Sequence, residues 1–349
     1  MDYSYHFPVV KGLQANREYY IAMVPLKMIP RLFPTDDEYV LPEYRAQRKL
    51  NISRIPVISK YIVENRESYV FSALAASIDG DFTFIPSKDN EELGILHVSM
   101  DAKLLINDGQ HRKAAILDAI TEDPSLLEET ISVVFYSDLG LARSQQMFTD
   151  LNKHAVKTSN SIAELYDSRD SLAVATRNVI TRIDFLNEFT DKEIDNLGKY
   201  SSNLFTLSTF YKANSRIIKR ANDDDEVFLF NYWNAVVENI IPWQDLKKHE
   251  ISKIDLRENY VVTMAVIIQA LGRLGKFFYN ESTDSFKKLD RLKMIDWHRN
   301  SSIWKLRIIN EQGRIVNNEA AIILACNALK KQLGIKLDSS ELAKEKTIK

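Results

Sequence analysis

The chain has 349 residues, 45% of them hydrophobic, which exceeds one average domain and suffices for buried cores, so we expect two domains. Its 46 Lys and Arg residues nearly balance 48 Asp and Glu residues, which excludes the uniformly basic field of a typical small DNA-binding protein. The single cysteine, Cys326, excludes a disulfide framework and a Cys-rich zinc site, so no metal cluster is expected.

The first half of the chain predicts a mixed α/β domain. Residues 19–25 predict a strand that ends at proline, and residues 55–65 place apolar side chains at helical spacing. Short β-rich runs between turn residues predict strands at residues 70–78, 81–85, 95–100, 103–106 and 130–136. Helices predicted at residues 112–121 and 141–152 complete a domain that we place at residues 1–170.

The second half predicts an all-α domain at residues 171–337, because its apolar residues follow the 3.6-residue helical period. Further helices are predicted at residues 203–221, 226–241, 258–279 and 317–333, with the polar run at residues 222–225 as a loop. Residues 338–349 are charged and poor in large apolar groups, which predicts a frayed or disordered tail. The predicted fold class is therefore α+β.

The chain lacks the signals of an exported or membrane protein. Its first residues have neither the basic start nor the apolar core of a signal peptide. The most apolar stretch, residues 260–271, is shorter than the roughly 20 residues that cross a bilayer. We expect a cytoplasmic protein that has no membrane partner.

The most informative motif joins a short apolar strand to a helix through an Asp-Gly turn. Its residues are Asp108, Gly109, Gln110, His111 and Arg112, called here the Asp108–Arg112 turn. Gly109 can take the positive φ of a tight turn, and the first helical amides have no intrahelical acceptors. These amides, the Arg112 guanidinium and the His111 imidazole would converge on a phosphate or carboxylate, with Asp108 orienting one of the two side chains. Asp-Gly is also a common turn dipeptide, so a purely structural role remains open.

This turn and five further segments, taken in order, resemble the DGQHR-domain proteins and, among them, the DndB family associated with DNA phosphorothioation. The further segments are residues 11–20, 45–48, 54–58, 69–74 and 144–152. The resemblance is dense from about residue 10 to residue 170. It is thinner afterwards, where it is carried by residues 297–300, with the sequence Trp-His-Arg-Asn, and by residues 304–314.

The resemblance implies an amino-terminal domain of the ParB/sulfiredoxin-like kind, in which a strand, a turn and a basic helix form a phosphate- or nucleotide-binding pocket. It also implies that Gln146 and Asn152 lie near the Asp108–Arg112 turn, whereas the residues alone favour solvated or capping roles for them. Sulfiredoxin chemistry is excluded, because the turn carries Gln110 and no cysteine. Whether the pocket takes a DNA phosphate or a nucleotide cofactor stays open.

Three basic clusters are candidates for contacts with DNA phosphates. They are Arg45, Arg48, Lys49 and Arg54; Lys153, His154 and Lys157; and Lys212, Arg216, Lys219 and Arg220. The last four would share one broad face of the predicted helix 203–221, with no acid between residues 211 and 220. A solvated surface is the usual explanation for such charges, but phosphate contacts dominate affinity for DNA.

The resemblance implies a DNA-binding accessory of a phosphorothioate-modification gene cluster, namely a repressor that binds duplex promoter DNA, and we expect a homodimer. One alternative is a nucleotide-dependent phosphotransferase or nuclease, with Asp108 as base or metal ligand and Arg112 stabilising transferred charge. Another is a subunit that positions other modification proteins. The sequence shows no nucleophile beside a base and no phosphate loop, so no catalytic residues are predicted.

Overall fold

The computed structural model describes residues 3–34, 52–137, 159–198, 201–281 and 283–348. The chain divides into two compact units, Met1–Val156 and Lys157–Lys349, which are described separately. A β-sheet unit precedes a helical unit, which confirms the predicted α+β class. Within the described ranges, no helix is long and apolar enough to cross a membrane.

A seven-stranded mixed sheet forms the first unit, in the spatial order β4-β5-β1-β2-β7-β3-β6. Its strands are β1 Ser4–Gln14, β2 Arg17–Pro25, β3 Leu74–Asp79, β4 Phe82–Pro86, β5 Leu93–Ser99, β6 Lys103–Asp108 and β7 Thr130–Ser137. Its helices are α1 Ile29–Leu32, α2 Ile55–Glu64 and α3 Gln110–Glu122, with single 3₁₀ turns at Leu26–Met28, Ile52–Arg54 and Pro124–Glu128. Neighbouring strands are antiparallel except β3 and β7, which run parallel.

Strand β1 was not predicted from the sequence. It forms a hairpin with β2 through Ala15 and Asn16, whose φ angles are +50° and +58°. Two left-handed residues in a row make the tight turn that matches the twist of a hairpin. The usual Asn-Gly or Asp-Gly signal is missing here, so the turn was not recognised.

The core of the first unit lies between one face of the sheet and the helices. Strand β3 is buried along Leu74–Ile78, and Val133 and Phe135 of β7 are fully buried beside it. Helices α2 and α3 pack against each other and bury Ile62 and Ile116 in the same core. Because β6 runs antiparallel to β3, its last residue, Asp108, lies beside Ala75 at the start of β3.

The described part of the second unit is mostly helical and contains one pair of two-residue parallel strands, β8 Thr190–Asp191 and β9 Phe205–Thr206. Its helices are α4 Asn160–Tyr166, α5 Ser171–Arg182, α6 Asp184–Phe189, α7 Leu207–Asn214, α8 Asp223–Asn239, α9 Ile241–Lys247, α10 Lys253–Asn259, α11 Ala265–Tyr279, α12 Glu319–Gln332 and α13 Ser339–Glu345, with a 3₁₀ segment at Thr283–Met294. Helix α4 belongs to this unit, one helix before the predicted boundary at residue 170, because Ser161 bonds to Asp195. All four tryptophans are buried in the core of this unit.

The predicted helix 203–221 is wrong at its carboxyl end, because α7 stops at Asn214. The Asn214 amide is buried, donates to the Thr176 hydroxyl at 2.9 Å and accepts from the Trp233 indole at 2.8 Å. Ser215 then bonds back to the carbonyl of Lys212, which competes with continuation of the helix. The predicted helix 258–279 is also shorter, since α11 begins at Ala265 after Tyr260 forms an isolated β-bridge.

Two segments predicted to be irregular are helical. Residues 223–225 form the first turn of α8 rather than a loop, because Asn222 and Asp225 cap it reciprocally and acidic residues suit a helix amino terminus. The predicted disordered tail contains α13, which Asp338 caps in the same way. Glu341 of α13 is buried and lies 2.6 Å from the Lys330 ammonium group, so tertiary contacts order this charged segment.

Candidate functional site

The Asp108–Arg112 turn lies where β6 ends and α3 begins. Gly109 caps α3 with φ +104°, a left-handed conformation, as the sequence predicted. A Cβ atom at Gly109 would lie 2.4 Å from Leu74 Cδ2 and 3.3 Å from the Arg112 guanidinium carbon. Both the backbone angle and the close packing therefore require glycine at this position.

Arg112 connects the start of α3 to the chain that enters β3. Its Nη1 lies 2.6 Å from both the carbonyl and the hydroxyl oxygen of Ser72 and 2.7 Å from the carbonyl oxygen of Ala73. Its Nη2 lies 2.5 Å from Asp108 Oδ2, so Asp108 orients Arg112 as expected. Only 16% of the Arg112 side chain is exposed. The guanidinium thus fastens two segments that are separated by some forty residues of sequence.

This geometry favours a structural role for the turn. The guanidinium that was expected to face an anion already has a carboxylate and two backbone carbonyls as partners. The next cation, Lys113, donates to the carbonyl of Pro34 at 3.1 Å and so holds the chain after α1. Binding of a phosphate or nucleotide at Gln110 and His111 stays a prediction.

A cavity of about 450 Å³ lies beside α2 and α3 in the first unit, and the residues that line it do not include the Asp108–Arg112 turn. Its floor is apolar, with Ile62, Ile116 and Ile131 among the lining residues. Its cation, Arg66, lies 2.9 Å from Asp123 and 2.7 Å from Glu129, and Tyr69 donates to Glu129. Burial raises the pKa of the Tyr69 hydroxyl to about 12. With its cation neutralised, this cavity is not a phosphate site.

Eight of the predicted site residues lie outside the described residues. They are Arg45, Arg48, Lys49, Gln146, Asn152, Lys153, His154 and Lys157. Strand β7 ends at Ser137, which pairs with Ile78 near the end of β3, whereas Asp108 pairs near its start. Arg54 lies within the described residues. It is the N-cap residue of α2, and its side chain is exposed. The ligand contacts proposed for these residues remain predictions.

The predicted cluster at residues 212–220 does not form one helical face, because Lys212 is on α7 and the other three cations follow its end. Arg216 donates to both carboxylate oxygens of Glu319, each at 2.8 Å, and to Gln269 at 3.0 Å. The positive charge of Arg216 is therefore paired with Glu319 inside the second unit. Lys219 and Arg220 are exposed in the connection to α8.

Lys212 is exposed but lies in an acidic environment. Burial raises the pKa of the Glu164 carboxyl to about 7, the Lys212 charge lowers it, and the charges of Asp195 and Asp170 raise it. A phosphate at Lys212 would therefore also approach these carboxylates. Contact between Lys212 and DNA stays a prediction.

The structure contains a basic surface that the sequence analysis missed. The 3₁₀ segment Thr283–Met294, called here the basic segment, buries Leu289 and Leu292 and exposes Lys287, Lys288, Arg291 and Lys293. Lys288 and Lys330 lie over the same Phe277 ring, at 5.3 and 5.9 Å, and Arg291 donates to the carbonyl of Leu333 at 3.3 Å. These contacts bring the segment next to the carboxyl-terminal end of α12. The sequence signal that could have revealed this surface is the presence of three lysines and one arginine within the seven residues 287–293.

Comparisons with known proteins give one match. A protein-family model described as "DndB: DNA-sulfur modification-associated" matches residues 7–336 of the 349 residues. No curated protein and no solved structure matches the chain. The match spans both units and includes the Asp108–Arg112 turn and the basic segment.

Proposed function

The chain belongs to the DndB family of proteins associated with DNA sulfur modification, and from that membership we propose that it is a DNA-binding regulator of a modification gene cluster. In this proposal it represses the cluster by binding duplex DNA of the promoter. The family match is the observation that carries the proposal. The proposal of DNA binding rests on the basic segment, and DNA binding and repression are each tested by an assay.

The basic segment supports DNA binding because its cations are exposed and fixed to a rigid helical core. Leu289 and Leu292 anchor the segment, so Lys287 and Lys293 need little further ordering when they contact a phosphate. Asp290 is the one acid between residues 287 and 293. A local patch of this kind is what a chain of net charge −2 requires for contact with a DNA backbone.

The arrangement of Arg112 weighs against phosphoryl transfer as the function of the turn. In the phosphotransferase hypothesis Arg112 would have to reach the transferred group, whereas its guanidinium is bonded to Ser72, Ala73 and Asp108. We therefore propose that the turn supports the fold and that the regulator acts by binding.

The test is a salt titration of the full chain with duplex DNA from its own upstream region and with a shuffled duplex of equal length. A repressor should prefer the upstream duplex by a thousandfold or more, roughly the lower limit for specific binders, near physiological salt. Equal and salt-labile binding to both duplexes would reject specific repression. Repression itself requires a second assay, in which expression from the upstream region falls when the protein is supplied.

One double variant and one control variant test whether the basic segment is the DNA interface. Lys287→Gln combined with Lys293→Gln should weaken binding to both duplexes and lower the salt slope by about 2, since each lost phosphate contact removes about 0.9. Lys88→Gln is the matched control, because Lys88 is an exposed lysine in the turn between β4 and β5. Unchanged affinity in the double variant would exclude the basic segment as the interface.

A further inference from the structure

A second cavity, of about 470 Å³, lies in the helical unit between the end of α10 and the loops that follow the 3₁₀ segment. We propose that this cavity, called here the Tyr260 cleft, binds a nucleoside monophosphate, either free or as a unit of a DNA strand. Its lining includes Tyr260, His298, Arg299, Asn300 and Lys305. The volume lies within the range of small-molecule sites, about 300–1,000 Å³.

The cleft is rigidly built. Tyr260 and His298 form an isolated antiparallel bridge, in which Arg299 N donates to Asn259 O at 2.7 Å and Val261 N donates to Trp297 O at 3.0 Å. Behind this bridge the buried Trp297 and Trp304 rings stack with centroids 5.5 Å apart. The Trp304 indole donates to the carbonyl of Asp296 at 2.9 Å. A site held this way loses little conformational entropy when a ligand binds.

An aromatic platform is the first element that suits a nucleobase. The rings of Tyr260 and His298 lie with centroids 4.4 Å apart, and 53% of the His298 side chain remains exposed. Asp296 accepts from both the backbone amide and the ring Nδ1 of His298, which fixes the ring orientation. Such a ring can stack on any base, because every base has a π face.

Two cations suit a single phosphate group. Lys305 is exposed, and Arg299, which is partly buried, has a long contact of 3.4 Å from Nη2 to the carbonyl of Gly313. Next to Lys305, Leu306 has φ +59°, a left-handed conformation that a branched side chain rarely adopts. Strained backbone of this kind is frequent at ligand-binding positions, and here it determines the conformation of the loop that carries Lys305.

Polar and acidic groups complete the lining and narrow the ligand class. Asn300 offers an amide that can read a base edge, while the Asn259 amide already donates to Asp255 Oδ1 at 2.7 Å. The Asp255 carboxylate can accept a further hydrogen bond from a sugar hydroxyl or base amino group, and Glu258 adds a second negative charge to the lining. Because two acids balance two cations, the cleft does not attract anions indiscriminately. A ligand with one anionic end and several hydrogen-bond donors fits it better than inorganic phosphate does.

The first test measures binding of the four 2′-deoxynucleoside 5′-monophosphates to the full chain by isothermal titration calorimetry. At least one should bind at high micromolar to millimolar concentration, with ribose 5-phosphate and deoxyadenosine each weaker by about tenfold, since each lacks one of the two recognised groups. Absence of binding by all four nucleotides would overturn the proposal. A short single-stranded oligonucleotide distinguishes the sources, because only a cleft that takes DNA strands will bind it with an affinity that Arg299→Gln lowers.

Variants and a photolabel assign the binding to the cleft. Arg299→Gln and Lys305→Gln should each weaken binding of the nucleotide about tenfold, whereas Lys88→Gln should not change it. An 8-azidoadenine nucleotide should label Tyr260 or the peptide at residues 297–305. Labelling at residues 108–112, or unchanged affinity in both cleft variants, would overturn the proposal. The assay contains no promoter DNA, so its outcome is independent of the repressor proposal.

Discussion

Replacing Arg112 by methionine should destabilise the first unit while leaving its binding functions intact. Methionine keeps most of the apolar stem but removes the guanidinium that joins the start of α3 to Ser72 and Ala73. A charge-assisted bond to the partly buried Ala73 carbonyl contributes about 2 kcal/mol. The exposed Ser72 groups regain water and contribute less, and the pair with Asp108, whose side chain is 41% exposed, contributes up to about 1 kcal/mol. We therefore expect a loss of about 3 kcal/mol.

The assay is urea unfolding followed by circular dichroism, with thermal unfolding as a second measure. A loss of 3 kcal/mol should lower the Tm of a unit of this size by about 6–12 °C. Arg112→Lys should recover less than half of the loss, because one ammonium group cannot reach all the acceptors of a fork. The control is Lys103→Met, at the exposed start of β6, which should change stability by less than about 0.5 kcal/mol.

One result would refute the structural role of Arg112. If Arg112→Met unfolds within about 0.5 kcal/mol of the parent chain but no longer binds DNA or nucleotide, the guanidinium serves a ligand. The anion site expected from the sequence would then be correct. If Arg112→Met is less stable but keeps its affinity for DNA under folding conditions, Arg112 serves to join the start of α3 to the chain that enters β3.

Three further perturbations follow from the same contacts. Gly109→Ala should cost about 2 kcal/mol or more in urea unfolding, because φ +104° and the 2.4 Å approach to Leu74 both oppose a Cβ atom; a cost below about 0.5 kcal/mol would contradict this packing. Burial raises the pKa of the Glu164 carboxyl to about 7, so between about pH 4.5 and 7 the folded state retains a proton that the unfolded chain has lost, and the free energy of unfolding should fall as pH rises through this range. Glu164→Gln should flatten that pH dependence, and an unchanged pH profile in the variant would contradict the assignment to Glu164. Arg216→Gln should lower the free energy of unfolding by about 1 kcal/mol or more through loss of the bidentate pair with Glu319, with unchanged affinity for DNA in the salt titration; weaker DNA binding at unchanged stability would return Arg216 to the DNA-binding residues.

The sequence by itself determined the α+β class, most strands of the sheet and the left-handed turn at Gly109, because alternation, helical period and glycine chemistry are local properties of the chain. The same local reasoning missed β1, whose hairpin turn lacks glycine. It also extended α7 too far, because the buried bonds of Asn214 to Thr176 and Trp233 are not visible in one segment.

Only the tertiary structure decided what the charged residues contact. Arg112 and Arg216 were expected to face ligands. The sequence already pointed to Asp108 as a partner of Arg112, whereas the Ser72 and Ala73 carbonyls that it also binds, and the Glu319 partner of Arg216, come from segments about forty and more than a hundred residues away. Conversely, Lys287, Lys293 and the Tyr260 cleft emerge from segments whose sequence carries no strong motif. Whether a cation is available to a ligand depends on which acid the chain brings beside it, and residue spacing in the sequence does not determine that.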